Sequence, residues 1–132
     1  MILPLFYYCY PAFGQISNKW LRKFESLFVR AKTITKFYHK WSTFKSGLNK
    51  RIAVNVFKAL NNENNENYQL LNHRINTRNN GSMVKIPKIN TEAGRKLSYY
   101  QGALVFNSLG ADIRKQETFI SFKNAVKNCD CI

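Results

Sequence analysis

The side chains of this sequence best suited to an interaction are basic and aromatic, and they concentrate between Lys19 and Lys58. This stretch holds 11 basic residues against Glu25 alone, a balance of +10 within the chain's formal +14. Basic residues interleaved with aromatic rings are typical of proteins that follow a phosphate backbone and stack bases. We therefore predict binding to RNA or single-stranded DNA. The predicted contact residues are Lys19, Arg22, Lys23, Arg30, Lys32, Lys36, Tyr38, Lys40, Trp41, Arg74 and Arg78.

The basic composition has competing explanations that the sequence leaves open. Lys, Asn, Ile, Phe and Tyr are all abundant, as expected from an AT-rich coding sequence. A core helix with a solvated basic side would also show this pattern, and its lysine stems would cover apolar surface. A basic aromatic helix lying on an anionic membrane surface is a further alternative.

No set of residues in the sequence predicts catalysis. Polymerase and nuclease chemistry needs several carboxylates that hold two metal ions, and neither Asp112 nor Asp130 has an acidic neighbour. Cys129 and Cys131 form a short pair, but the two histidines do not follow them at a zinc-site spacing. We predict a protein that is not an enzyme and uses no metal, cofactor or small-molecule substrate.

The first 16 residues carry no charge, yet they do not read as a targeting or membrane segment. They lack the basic start and small-residue cleavage site of a signal peptide. The apolar run is too short to span a membrane and is interrupted by Pro4 and Pro11. Three cysteines, an odd number, do not make a disulfide framework. We therefore expect an intracellular protein, nuclear or cytoplasmic and not secreted.

Helical periodicity dominates the rest of the chain and predicts a mainly α protein. The predicted helices cover residues 17–36, 48–61, 100–109 and 117–128. The clearest amphipathic helix is the first, with an apolar stripe along one face. That stripe consists of Trp20, Phe24, Leu27, Ala31 and Ile34.

Composition predicts a small helical assembly in two lobes. With 132 residues, the chain has room for one domain with a modest core. An Asn-rich stretch over 61–67 marks the division. We predict a basic aromatic helical lobe over 1–61, an irregular or short-strand linker over 62–95, and a helix-turn-helix lobe over 96–132.

Residues 83–86 and 96–99 alternate between apolar and polar, and they predict a short two-stranded β element. Residues 79–81, Asn-Asn-Gly, predict a turn. Arg74 and Arg78 lie four residues apart, so on a helix they would share a face and could hold adjacent phosphates, whereas on a loop they would not.

In the C-terminal lobe, Phe106 and Phe122 lie on the apolar sides of two successive helices. We predict that they face each other as core anchors. Gly110 is placed to end the first helix, and either Glu117 or Thr118 to begin the second.

An ordered set of short motifs in this lobe resembles the C-terminal tail of reverse transcriptases from non-LTR (LINE-type) retrotransposons. Those tails read Tyr-Arg-Gly-Ala, Trp-Asn-Ser-Leu-Pro, Ile-Arg and Ser-Phe-Lys in that order. Here Gln101 replaces the Arg, Phe106 the Trp and Gly110 the Pro. The matching segments are Tyr100-Gln101-Gly102-Ala103, Phe106-Asn107-Ser108-Leu109, Ile113-Arg114 and Ser121-Phe122-Lys123.

The resemblance extends towards the start of the chain. Residues 3–14 are similar to the family's Leu-Pro-Leu-Phe segment after the polymerase core, residues 30–35 to its Arg-Ala-Ala-Arg-Ile-Ile-Thr run, and residues 73–78 to its His-x-Tyr-Asn-Thr-Arg motif. The resemblance implies a thumb-like and tail region from a truncated open reading frame, without the family's Tyr/Phe-x-Asp-Asp motif. It implies accessory binding of RNA or DNA, or alternatively a structural module that docks on a polymerase core.

Overall fold

The structure, a computed structural model of the chain, describes residues 18–35, 43–61, 74–77 and 81–129. These residues are mainly α-helical, as predicted, with two short strands. In chain order the elements are α1 (Asn18–Thr35), α2 (Phe44–Leu60), β1 (Arg74–Thr77), β2 (Gly81–Val84), α3 (Glu92–Arg95), α4 (Ser98–Ser108), α5 (Ala111–Arg114) and α6 (Phe119–Asn128).

The chain divides into two compact units, Met1–Leu48 and Asn49–Ile132. The division therefore falls inside α2, whereas composition placed it in the Asn-rich stretch over 61–67. Residues 62–67 of that stretch lie outside the described residues. The physical reason lies in the second half of α2. Its Phe57 stacks on Phe122 of α6, with ring centroids 4.2 Å apart.

In the first unit, aromatic rings join α1 to the first turn of α2. The ring of Phe44 is fully buried and stacks on Phe24, with a centroid distance of 5.9 Å. Phe44 also lies tilted against the buried Phe28, again at 5.9 Å. These three rings determine which side of α1 turns inward.

The start of α2 is capped from two directions. Thr43 Oγ1 accepts the N–H of Ser46 at 3.2 Å, and Glu25 Oε1 from α1 accepts the N–H of Lys45 at 3.0 Å. A helix start leaves its first N–H groups open, and these oxygens satisfy two of them. The helix consequently begins at Phe44, four residues before the predicted start at 48.

In the second unit, three phenylalanines form a stacked core. Phe122 lies between Phe57 and Phe106, and its centroid is 6.0 Å from that of Phe106. All three are at most 1% exposed. The prediction that Phe106 and Phe122 are facing core anchors is confirmed.

The turn between α4 and α6 contains a short helix, α5, that the sequence pattern did not predict. Helix α4 ends at Ser108, and Gly110 then adopts φ −58° and ψ 149°. Gly110 thus follows the end of the helix directly, as predicted, but its conformation is open to any residue and is not the left-handed one of a glycine cap. Thr118, one of the two residues predicted to begin the last helix, caps α6: its Oγ1 accepts the N–H of Ser121 at 3.3 Å.

The strands pair differently from the prediction. β1 pairs antiparallel with β2, with Arg74 opposite Val84 and Thr77 opposite Gly81. The predicted partner of residues 83–86, the segment 96–99, instead leads into α4. Only three residues separate β1 from β2, whereas nine separate 86 from 96. The three-residue loop is within the usual range of hairpin lengths and costs less entropy to close. Residues 79 and 80 of the predicted turn lie outside the described residues.

Asn107 of α4 ties the hairpin to the helix. Its Oδ1 accepts the N–H of Val84 at 2.9 Å, and its Nδ2 donates to the Val84 carbonyl at 2.8 Å. The amide thus contacts β2 as a neighbouring strand would, and it satisfies both backbone groups of a residue that is only 2% exposed.

Candidate nucleic-acid interface

Four of the predicted contact residues form an exposed basic row on α1. Lys19, Arg22, Lys23 and Arg30 are all exposed. At about 100° of rotation per residue, they project within an arc of roughly 100° of the helix surface. From Lys19 to Arg30 the row extends along about 16 Å of the helix axis. We call these four side chains the basic row.

The charges of the basic row are not neutralised within the described residues. No ion pair there involves any of the four. The nearest acidic residue in sequence, Glu25, has one carboxylate oxygen on the N–H of Lys45. The row therefore presents cations to solvent, and within the described ranges an anionic ligand meets no ion pair that it must first break.

Lys32, also a predicted contact, lies apart from the basic row. It is half-buried, and its Nζ lies 5.4 Å from the ring centroid of Phe28. A cation over an aromatic face is stabilised by a cation–π interaction with the ring. Lys32 thus contributes to the packing of α1 more directly than to an exposed surface.

The apolar stripe of α1 is not buried as a whole. Trp20, Leu27 and Ile34 are 54%, 49% and 81% exposed. Phe28, which the stripe omitted, is only 1% exposed. The buried side of the helix is therefore rotated by roughly 80° from the predicted stripe. The cause is Phe44, whose ring contacts Phe24 and Phe28 together.

The sequence contained a signal for the observed side. Leu21, Phe24 and Phe28 also recur at three- and four-residue steps, and they form a second stripe that overlaps the first. Leu21 and Phe24 are half-buried and Phe28 is buried. Periodicity alone did not choose between the two stripes.

The exposed apolar side chains border the basic row directly. Trp20, Leu27 and Ile34 lie at seven-residue steps and so line up along one side of α1. The Nζ of Lys23 lies 4.6 Å from the centroid of the Trp20 ring. Cations and an aromatic ring therefore meet on a single solvent-facing surface, which is the composition that single-stranded nucleic acid requires.

Of the remaining predicted contacts, the structure describes Arg74 alone. Arg74 begins β1, in the second unit, so the helical arrangement that would join it to Arg78 is not formed. The remaining predicted contacts lie outside the described residues. They are Lys36, Tyr38, Lys40, Trp41 and Arg78.

Other basic residues of the stretch between Lys19 and Lys58 take part in packing. In the second unit, Lys50 Nζ donates to the Lys127 carbonyl at 3.0 Å, near the C-terminal end of α6. Lys58 Nζ lies 4.7 Å from the centroid of the Phe119 ring. A cation at a helix C-terminus is favourable. Part of the +10 of this stretch therefore belongs to packing within the second unit.

Across the described ranges, no group of three or more His, Cys, Asp or Glu side chains is arranged to hold a metal ion. Among the helices of the same ranges, none has the length and apolar character needed to cross a membrane.

Comparison of the chain with protein families, with characterised proteins and with solved structures gives no match.

Proposed function

We propose that this chain is a non-catalytic, accessory protein that binds RNA or single-stranded DNA through the basic row of α1. The proposal includes its origin as the region after the polymerase domain of a retrotransposon-type reverse transcriptase, on the motifs in residues 100–123. The observation that carries the binding role is the basic row itself. Four exposed cations lie on one side of one helix, without an ion pair in the described part of the chain.

The row supports an electrostatic mode of binding with little sequence preference. Lysine and arginine that contact phosphates release counterions, so affinity depends on salt and not on base identity. Tyr38 and Trp41, which we predict to stack on bases, lie outside the described residues.

The test is a salt titration of binding between the purified chain and a fluorescent oligothymidine, followed by anisotropy from about 50 to 200 mM salt. We expect affinity to fall steeply. The double variant Lys19→Gln with Arg30→Gln should lower the magnitude of the logarithmic salt slope by about 1.4, because each single-strand phosphate contact contributes about 0.7.

The matched control is the double variant Lys115→Gln with Lys123→Gln. Both lysines are exposed in the second unit, and their loss changes the net charge equally. An equal effect of both double variants would show that general charge attracts the oligonucleotide, and that the basic row does not. Salt-independent binding, or none at low salt, would refute the proposed function.

One observation favours the alternative, a structural module that docks on a polymerase core. Ile34 is 81% and Val29 57% exposed, and aliphatic side chains contribute little to stacking on bases. Absence of oligonucleotide binding, together with solubility only beside a polymerase fragment, would favour this alternative.

A further inference from the structure

We infer that Trp20 is the base-stacking residue of the α1 surface, an inference that rests on the proposed function. The periodicity of the sequence placed Trp20 on the apolar stripe of α1, and the sequence analysis predicted stacking for residues further along the chain. In the structure the indole is 54% exposed.

Trp20 is distinctive among the aromatic side chains. Of all the Phe, Tyr and Trp residues that the structure describes, it alone is exposed; the others are half-buried or buried. Burying an indole contributes strongly to stability, and the nearby core of Phe24, Phe28 and Phe44 does not enclose this one. The indole is therefore accessible to an external ligand.

The position of Lys23 specifies the kind of ligand. Its ammonium lies 4.6 Å from the centroid of the Trp20 ring, and Lys19 precedes the tryptophan by one residue. A nucleotide whose base lies against the exposed part of the indole brings its phosphate close to these cations. Stacking requires an unpaired base, so this geometry selects a single strand over a duplex.

The charge of the surface argues against a second copy of this chain as the ligand. The basic rows of two copies would repel each other, because no carboxylate on α1 other than Glu25 is present to oppose them. An anionic ligand with flat apolar groups matches both components of the surface, and a nucleic acid single strand has both.

The experiment uses tryptophan emission in the full chain. The sequence contains two tryptophans, so Trp41→Phe leaves Trp20 as the sole tryptophan, whose emission is observed with excitation that tyrosine does not absorb. Addition of oligothymidine should quench Trp20 emission, and the quenching should saturate together with the anisotropy of the labelled oligonucleotide. In a separate variant with Trp41 retained, Trp20→Gln should weaken single-strand binding about 5- to 150-fold and leave duplex binding unchanged.

The matched control is Ile120→Gln, at an apolar residue that is 72% exposed on α6, and it should leave binding unchanged. Oligonucleotide binding without Trp20 quenching, or an unchanged affinity of Trp20→Gln, would overturn the role of Trp20 while the proposed function stands. Absence of any binding would remove both. A blue shift of Trp20 on vesicles containing phosphatidylserine, without a response to oligothymidine, would also remove both and would assign the surface to anionic lipid.

Discussion

Replacing Asn107 tests the contact that joins the hairpin to α4. The change Asn107→Ala removes both hydrogen bonds of the side-chain amide to Val84, at 2.9 and 2.8 Å. Val84 is 2% exposed, so water replaces these bonds incompletely. A typical hydrogen bond contributes about 0.5–1.5 kcal/mol net, and an unsatisfied buried group costs about 1–3 kcal/mol.

Because the two bonds are only partly buried, we expect Asn107→Ala to lower the free energy of unfolding by about 2–4 kcal/mol. For a unit of this size, each 1 kcal/mol shifts the melting temperature by about 4–8 °C. Thermal unfolding followed by circular dichroism, with urea titration at fixed temperature, measures the loss.

Two further variants separate the amide contact from other effects. Asn107→Asp keeps an acceptor for the Val84 N–H but sets a second oxygen against the Val84 carbonyl, so it should destabilise at least as much as alanine. Ser108→Ala is the control, because its exposed hydroxyl donates to the Val105 carbonyl of the same helix. Its effect should stay within about 0.5 kcal/mol. Equal stability of Asn107→Ala and Ser108→Ala would refute the reasoning.

Two other substitutions test single features of the fold. Glu25→Ala should destabilise the protein by about 0.5–2 kcal/mol because α2 loses the oxygen that accepts the Lys45 N–H. Glu25→Gln keeps an oxygen acceptor and should retain part of that stability. Identical melting temperatures of the unchanged protein and both variants would contradict this capping role. Gly110→Pro should stabilise the protein by about 0.4–1 kcal/mol, because proline restricts the unfolded chain and fits the folded backbone here. The glycine already has φ −58°, and Leu109 before it is extended, as a residue before proline prefers. An added Cβ meets nothing within 4 Å. A lower melting temperature of Gly110→Pro would show that the turn needs glycine.

The helices and part of the core could be predicted from the sequence. The predicted helix 100–109 differs by one or two residues from the observed Ser98–Ser108, and Phe106 meets Phe122 as expected. Both results depend on local order: apolar residues at three- and four-residue steps share a side of any helix they form. The surplus of basic residues is likewise a property of the sequence alone.

The orientation of α1, the strand pairing and the contacts of Asn107 were decided by the tertiary structure. Two overlapping apolar stripes lie along α1 at helical spacing, and Phe44, sixteen residues beyond Phe28, determined which one is buried. β2 had two possible partners with similar alternation, and the shorter connection prevailed. Local sequence patterns predict which residues can share a surface. Which surface is covered depends on contacts between residues distant in the chain, and the exposure of Trp20 follows from those contacts.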